Sequence, residues 1–448
     1  MKTKLLFTLF FLIKLSSYSQ QVWERQYNEK IANTFTQTFD NKFILAGAEY
    51  ESMFQKWNIF TADSLGFAEW ETTFHSYGYG IPTDIKTLPD SGYIIFGIDE
   101  GQLYNLRYNK YNQLISEKHI KFNDTISVDE LTSVTKANND SLFIIIGNTH
   151  STASINRPFV AKINNNGESI WTKLYNTEAF SHFISITKNN DSTYFCIGTL
   201  NNKIWLLKIN DYGDTLWTKI LDNYTFYPKT ILKTNDNNIL INGTKNNNIF
   251  FVKTDLNGNE LWNKTYINNY NVESISIAKT FDNGFIVANK IFHNYDYFAT
   301  WIIKLNSEGD TIWSITTPEQ NIPQKIIQTK DSLYAILLNI YGITKLAKFD
   351  SLNGNIVTNI NYNFTKEKNR INNYPNPFNE ETIIIWNKNK EYNKAILTIT
   401  DVVGNIIINK IIINENKFYF RKPDLKSGIY FYNLKVNDKI ISGKMIKK

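Results

Sequence analysis

Short apolar runs bounded by polar turns follow one another along most of the chain, and nearly the same words recur among them. "GESIWTKL" at 167–174, "GDTLWTKI" at 213–220, "GNELWNKT" at 258–265 and "GDTIWSIT" at 309–316 each read as a strand entered through a tight turn. After the Trp strand comes a run such as "SISIAKT" (274–280), then a turn, then "GFIVAN" (284–289). An exposed loop follows, and a strand such as "WIIKLN" (301–306) leads to the next Gly turn. The turn between the first two strands carries Asp40, Asp90, Asp140, Asp191, Asp236, Asp282 or Asp331, and Asn or Ser follows each one. That pair fits a hairpin turn, because both residue types bond their own backbone and tolerate left-handed dihedrals. The grammar predicts four short strands per unit.

Aligned on the Gly, the aromatic four places later falls at Trp70, Trp171, Trp217, Trp262 and Trp313; Ser116 and Thr358 take its place in two copies, and Trp23 begins the series without the turn. Successive anchors are 47, 46, 55, 46, 45, 51 and 45 residues apart. A fixed period of this size marks a repeat fold, and for all-β units it points to a propeller. A single four-stranded blade cannot bury both faces, so it must stack on its neighbours until the last meets the first. The expectation is a seven-bladed β-propeller over 20–365. Eight anchors for seven blades leave two candidates for the closing strand, the one at Trp23 and the one after Gly354. The Trp is the expected packing anchor, between blades or on an outer strand, worth about 3–5 kcal/mol if buried. The pattern resembles the repeat propellers of exported Bacteroidetes proteins, a resemblance that speaks to fold and not to ligand.

From residue 366 the grammar stops. A charged connector, 366–371, precedes alternating runs such as "TIIIW", "AILTIT" and "GIYFYNLKV", which read as a small immunoglobulin-like β-sandwich over 372–448. Tyr374, Pro375, Asn376, Pro377 and Phe378 open this region, and "DVVGNII" at 401–407 supplies Asp401 and Gly404. "LKSGIYFYNL" at 425–434 supplies Gly428 and Tyr430, and "GKMIKK" ends on Lys444, Lys447 and Lys448. In this order the motifs resemble the type A C-terminal sorting domain of the type IX secretion system. The resemblance implies Sec export, passage across the outer membrane by the type IX machinery, and removal of the domain with release or surface attachment. The other terminus agrees. "MKTK", the apolar "LLFTLFFLIKLSS" and the small residues of "SYSQ" read as a signal peptide, 1–19. The apolar stretch is short and interrupted by Lys14, and nothing else approaches a spanning length, so no transmembrane segment is expected in the mature chain.

The net charge of +6 misleads until it is divided: residues 1–19 carry +3, residues 366–448 carry 16 Lys+Arg and 8 Asp+Glu, or +8, and 20–365 carry 29 and 34, or −5. The large region offers no basic stripe of the kind phosphate backbones demand, which argues against nucleic acid. Cys196, the one cysteine, lies in an apolar strand and reads as a core residue. His75, His119, His150, His182 and His293 show no zinc-site spacing, "DLNGNE" (255–260) lacks the acids of a calcium loop, and no cofactor or metal is expected. Arg107, Lys162, Lys208, Lys253 and Lys304 share one strand position; a structural ion pair is the plainer reading, and a cation ring facing an acidic glycan the sharper one. Only residues that break the repeat can make a distinct site. Those inserts are 119–130, 147–159 and 289–301, the last with His293, Tyr295, Asp296 and Tyr297 as a candidate ligand loop. Two functions remain: an exported or cell-surface propeller that binds a protein or glycan, and a secreted polysaccharide hydrolase or lyase.

Overall fold

The four-strand grammar is what the chain adopts. A computed structural model describes residues 22–28, 30–51, 54–76, 80–121, 126–151, 157–175, 181–221, 227–294, 297–317, 320–340, 342–350, 371–374, 378–386, 394–413, 417–436 and 439–447. The signal peptide 1–19, Thr358 and connector residues 366–370 lie outside that set, while Ile371 begins a strand, Ile371–Tyr374. Among the described residues every regular element is a strand, and none is a helix able to cross a membrane. The chain divides into two units, 1–359 and 360–448.

The first unit is a seven-bladed propeller. Six blades are consecutive four-stranded antiparallel meanders, at 34–76, 82–120, 126–174, 181–221, 227–266 and 271–316. The seventh has three strands at 322–349, and its fourth is Trp23–Tyr27, which pairs with Ile343–Phe349 in the register Trp23↔Lys348 to Tyr27↔Thr344. Among the described residues the closing strand is therefore the one at Trp23, while the segment after Gly354 lies outside them. Seven apolar clusters fill the seven interfaces between neighbouring blades, the seventh joining Leu337 and Leu346 of blade 7 to Phe35, Phe43 and Phe60 of blade 1. The second strand of each blade is buried on both faces, which is why it reads as an unbroken apolar run. In Leu142–Ser151, Phe143 and Ile145 face blade 2 while Ile144 and Ile146 face blade 4.

The recurring Gly and Trp now acquire a cause. Each Gly occupies the turn between the third and fourth strands at positive φ, +74° at Gly213, Gly258 and +78° at Gly309. The Trp of one blade's outermost strand packs on the turn Gly of the next: a Cβ on Gly213 would lie 2.9 Å from the Trp171 ring, and one on Gly309 2.7 Å from Trp262. Trp23 meets Gly66 in the same way, so the pattern crosses the closure. Where Ser116 replaces the Trp, its hydroxyl donates to the Asn166 carbonyl of the following turn at 3.0 Å. Both expected roles therefore hold, outer strand and blade-to-blade anchor. The energetic expectation changes, because Trp70, Trp171, Trp217, Trp262 and Trp313 are half-buried and only Trp23 is buried.

The Asp turns close as expected. The Asn or Ser after the Asp sits at positive φ in six of the seven, between 62° at Ser192 and 67° at Ser332. In Thr234, Thr280 and Thr329 the hydroxyl donates to the Asp two places on, pinning the turn from within.

Among its described residues the second unit holds seven strands in two sheets, one of three (Ile371–Tyr374, Glu381–Trp386, Lys417–Arg421) and one of four (Ile406–Ile413, Lys394–Asp401, Gly428–Val436, Lys439–Lys447). Among the described residues Phe378, Ile384, Leu397, Ile399, Phe420, Tyr430, Tyr432, Leu434 and Met445 form its core. This is the small sandwich the alternation predicts.

Candidate functional site

In the C-terminal sandwich the sorting-motif residues meet through backbone and core. Phe378, buried, stacks edge-on against Phe420 with centroids 5.9 Å apart. Its backbone N–H donates to the Ile446 carbonyl at 2.9 Å, and it forms a parallel bridge with Lys447, whose ammonium lies 5.9 Å from the Phe378 ring. Phe378 thus ties the opening motif to the strand that carries the basic end. Asp401 closes its turn by accepting the backbone N–H groups of Val403 (3.0 Å) and Asn405 (2.8 Å), and Gly404 takes φ +95°. The Asn405 amide and these N–H groups hold the Asp401 carboxyl below its usual range. The same device recurs in the propeller at Asn164, Asn210, Asp255 and Asn306, so Asp401 and Gly404 build a turn. Tyr430 is buried with its hydroxyl donating to the Lys426 carbonyl at 2.7 Å, over Gly428. Lys444 is exposed; Pro375, Asn376, Pro377 and Lys448 lie outside the described residues, as does the side chain of Tyr374. Gly443, which sequence reasoning passed over, is covered by the Tyr432 ring and has no room for a Cβ; the Tyr432 hydroxyl reaches Asn373 Oδ1 at 3.2 Å. The signal was the Gly inside a strand word, "SGKM", opposite an aromatic.

On the propeller, the five shared-position cations are spent on carboxylates. Arg107 pairs with Asp90 at 2.8 Å, Lys208 with Asp191 at 3.6 Å, Lys253 with Asp236 at 2.7 Å and Lys304 with Asp282 at 2.8 Å, while Lys162 pairs with Asp211. Lys348 does the same with Asp331 in blade 7, a sixth instance the spacing had not singled out. Each of these except Lys162 bridges its third strand to the Asp turn of its own blade. The plainer reading of that ring holds, and the sharper one does not. Cys196 is fully buried in the core between blades 3 and 4, and burial pushes its thiol pKa up. His119 sits 2.9 Å from Asp99 and stacks on Tyr104.

The insert at 289–301 is mostly strand. Phe285–Asn294 and Tyr297–Leu305 pair as far as Asn294↔Tyr297, so the expected loop is a lengthened hairpin in which Lys290 lies over both Phe292 (4.6 Å) and Phe298 (4.0 Å). His293 and Tyr297 fall on these strands with side chains outside the described set, and Tyr295 and Asp296 lie outside it altogether. Antiparallel topology puts this hairpin and the one at 147–159 on the same face, since both join second to third strands.

The symmetry breaks elsewhere. One position of the innermost strands carries Thr34, Ser133, Ser185, Thr230 and Ser276 in five blades; Ser133, Ser185 and Ser276 accept a backbone N–H from the next blade's innermost strand. In blade 2 that position is Asp84, in blade 7 Lys325. Lys325 Nζ donates to Asp84 Oδ1 at 2.9 Å and to Thr34 Oγ1 at 3.1 Å, and Lys86 Nζ lies 2.6 Å from Asp84 Oδ2. Burial alone would raise the Asp84 pKa, but the two ammonium groups outweigh it and hold it at about 2. Burial depresses that of Lys325. An internal alignment of the seven innermost strands would have exposed this pair.

Comparisons bear on the two units unequally. A search of curated proteins found no match. Solved structures with similar folds include a Bacteroides caccae protein of unknown function (11% identity, 61% of this chain and 92% of that one, TM-score 0.43) and the WD40 domain of Toxoplasma gondii coronin (8%, 75% and 89%, TM-score 0.46). A third is the extracellular domain of a hybrid two-component system from B. thetaiotaomicron (10%, 92% and 67%, TM-score 0.36). The propeller assignment rests on the sheet topology and the seven interfaces given above. For the second unit the match is one of sequence: residues 372–448 match the secretion system C-terminal sorting domain family, which marks the protein for export to the cell surface or beyond.

Proposed function

We propose that this protein is a binding propeller delivered outside the cell by a separable address. The match of 372–448 to a sorting family carries the reading, and the division of the chain at residue 359/360 supports it. Residues 1–19 act as the Sec signal, and cleavage near Ser19 leaves Trp23–Tyr27 available to close the ring. Tyr374–Phe378, Asp401, Gly404, Gly428, Tyr430 and Lys444–Lys448 shape the surface that the type IX machinery reads, and 366–371 is the joint at which the domain is removed. A β-sandwich reached through an exposed, charged connector can be recognised and clipped without disturbing its neighbour. The extracellular partner, a protein or a glycan, docks on the face bearing 147–159 and 289–301, including His293, Tyr295, Asp296 and Tyr297. Asymmetric inserts are what distinguish one part of a repetitive rim from another. Fusing 366–448 to an unrelated Sec-exported passenger in a host with type IX export tests delivery. The passenger should reach the surface or the medium; retention in the periplasm overturns the reading.

A further inference from the structure

A second set of lysines forms a different ring from the one the sequence suggested. The last paired residue of each innermost strand is Gln37, Thr87, Lys136, Lys188, Lys233, Lys279 and Gln328 in blade order, opposite Phe43, Tyr93, Phe143, Tyr194, Ile239, Phe285 and Tyr334. Blades 3 to 6 therefore place four lysines side by side where the central channel opens toward the Asp turns, with Lys86 one residue further in on blade 2 and Lys325 beyond it. Lys188 Nζ donates to the Ala137 carbonyl at 2.9 Å and Lys233 Nζ to Asn237, neither a carboxylate. Lys136 and Lys279 have no bonded partner among the described residues. The cations feel one another: burial first depresses the pKa of Lys136 and Lys233, Asp140 and Asp236 oppose that shift, and the neighbouring lysines (Lys86 and Lys188 for Lys136, Lys279 for Lys233) add to it. The carboxylates nearest them are already engaged, Asp236 with Lys253 and Asp191 with Lys208, while Asp140 stands beside Lys136. Against these six lysines stand Asp84, already shared by Lys86 and Lys325, and Asp140, in a propeller region whose net charge is −5.

From this placement we propose that the channel mouth on the Asp-turn face, between blades 2 and 6, is an anion-binding site for the acidic end of a carboxylate- or sulfate-bearing glycan. Ammonium groups held close together that outnumber the carboxylates beside them are relieved by a ligand that brings several negative oxygens at once. The acidic body disfavours a long polyanion laid across the surface, so the ligand enters end-on. This deepens the binding role proposed above and rests on it, but it names the face opposite the inserts.

Calorimetric titration of the purified full chain with trigalacturonate, sulfated maltotriose and unmodified maltotriose tests the site. One or both acidic probes should bind, the neutral one should not, and tenfold more salt should weaken binding, the pattern of a charge-driven site. The pair Lys136→Gln/Lys279→Gln removes the two cations that no described residue bonds and should cost about tenfold in affinity, the scale of one charge-assisted contact. Its melting temperature should be unchanged or raised, because like-charge repulsion is relieved. The control pair Lys173→Gln/Lys118→Gln, on outermost strands, carries the same change in net charge and should bind as the wild type does. Equal loss in both pairs, or no acidic probe bound, overturns the proposal. Neither outcome bears on delivery of the passenger fusion, so the two readings fail separately.

Discussion

At the scale of single residues the propeller is held by contacts that reach from one blade to the next. Gly213 is constrained twice, by its φ of +74° and by the Trp171 ring. Gly213→Ala should destabilise the ring by about 1–2 kcal/mol, combining left-handed strain with the clash. Trp171→Ala should cost about 1–3 kcal/mol, less than a buried Trp would. Because the two share one contact, the double variant should fall short of the sum by at least about 0.5 kcal/mol; additivity in a denaturation cycle would contradict the packing described. The ion pairs make a second prediction. The Lys304 side chain is only 3% exposed, so Asp282→Asn strands a buried ammonium. The loss should lie between the ~1 kcal/mol of an exposed pair and the ~3–5 kcal/mol of a buried one, and Asp282→Asn/Lys304→Met should recover part of it. A third concerns acid. Asp84 has its pKa depressed to about 2, so its contribution is complete above the unfolded carboxylate pKa near 4 and is lost as the pH falls from about 4 to about 2. The melting temperature of Asp84→Asn should therefore fall less steeply across that window; parallel curves would count against the clasp joining blades 7, 1 and 2.

At the scale of elements the decisive one is the strand Trp23–Tyr27. It adds the fourth strand to blade 7 from more than 300 residues away in sequence and carries the one buried anchor Trp. The Tyr27 hydroxyl bonds the Gly66 carbonyl at 2.9 Å, as Tyr175 does at Gly213 in the next-but-two interface. Deleting 22–28 should uncover the edge of Ile343–Phe349 and the core between blades 7 and 1, giving a lower, broader melting transition and self-association; a monomer melting as the full ring does would show that the strand closes nothing. Elements of this kind were partly legible. The Gly turns, the Asp turns and the apolar second strands announce themselves because each obeys a local rule, positive φ or burial on both faces. The closing strand stayed ambiguous because pairing partners 325 residues apart leave no local trace. The hairpin at 289–301 was misjudged as a loop because polar residues in a lengthened strand break alternation without breaking the ladder. The Lys325–Asp84 pair escaped because one charge in each of two distant repeats looks like surface variation until the inner strands are set in register.

At the scale of the whole molecule, a ring that neutralises most of its repeated charges internally is joined to a +6 sandwich, 372–448, that matches a sorting family. The address was legible residue by residue, since Tyr374–Phe378, Gly404, Gly428–Tyr430 and the basic end occur in order. The ligand was not, because a repeat spells out its scaffold many times and its binding residues once. The central claim is that the ring and its address are separable. Its most direct test is to truncate the chain after Thr365 in a type IX-competent host and follow the propeller by fractionation and limited proteolysis. The account predicts a folded, protease-resistant propeller trapped in the periplasm, with the full chain at the surface or in the medium. Arrival of the truncated chain outside the cell, or its degradation as an unfolded chain, would contradict it.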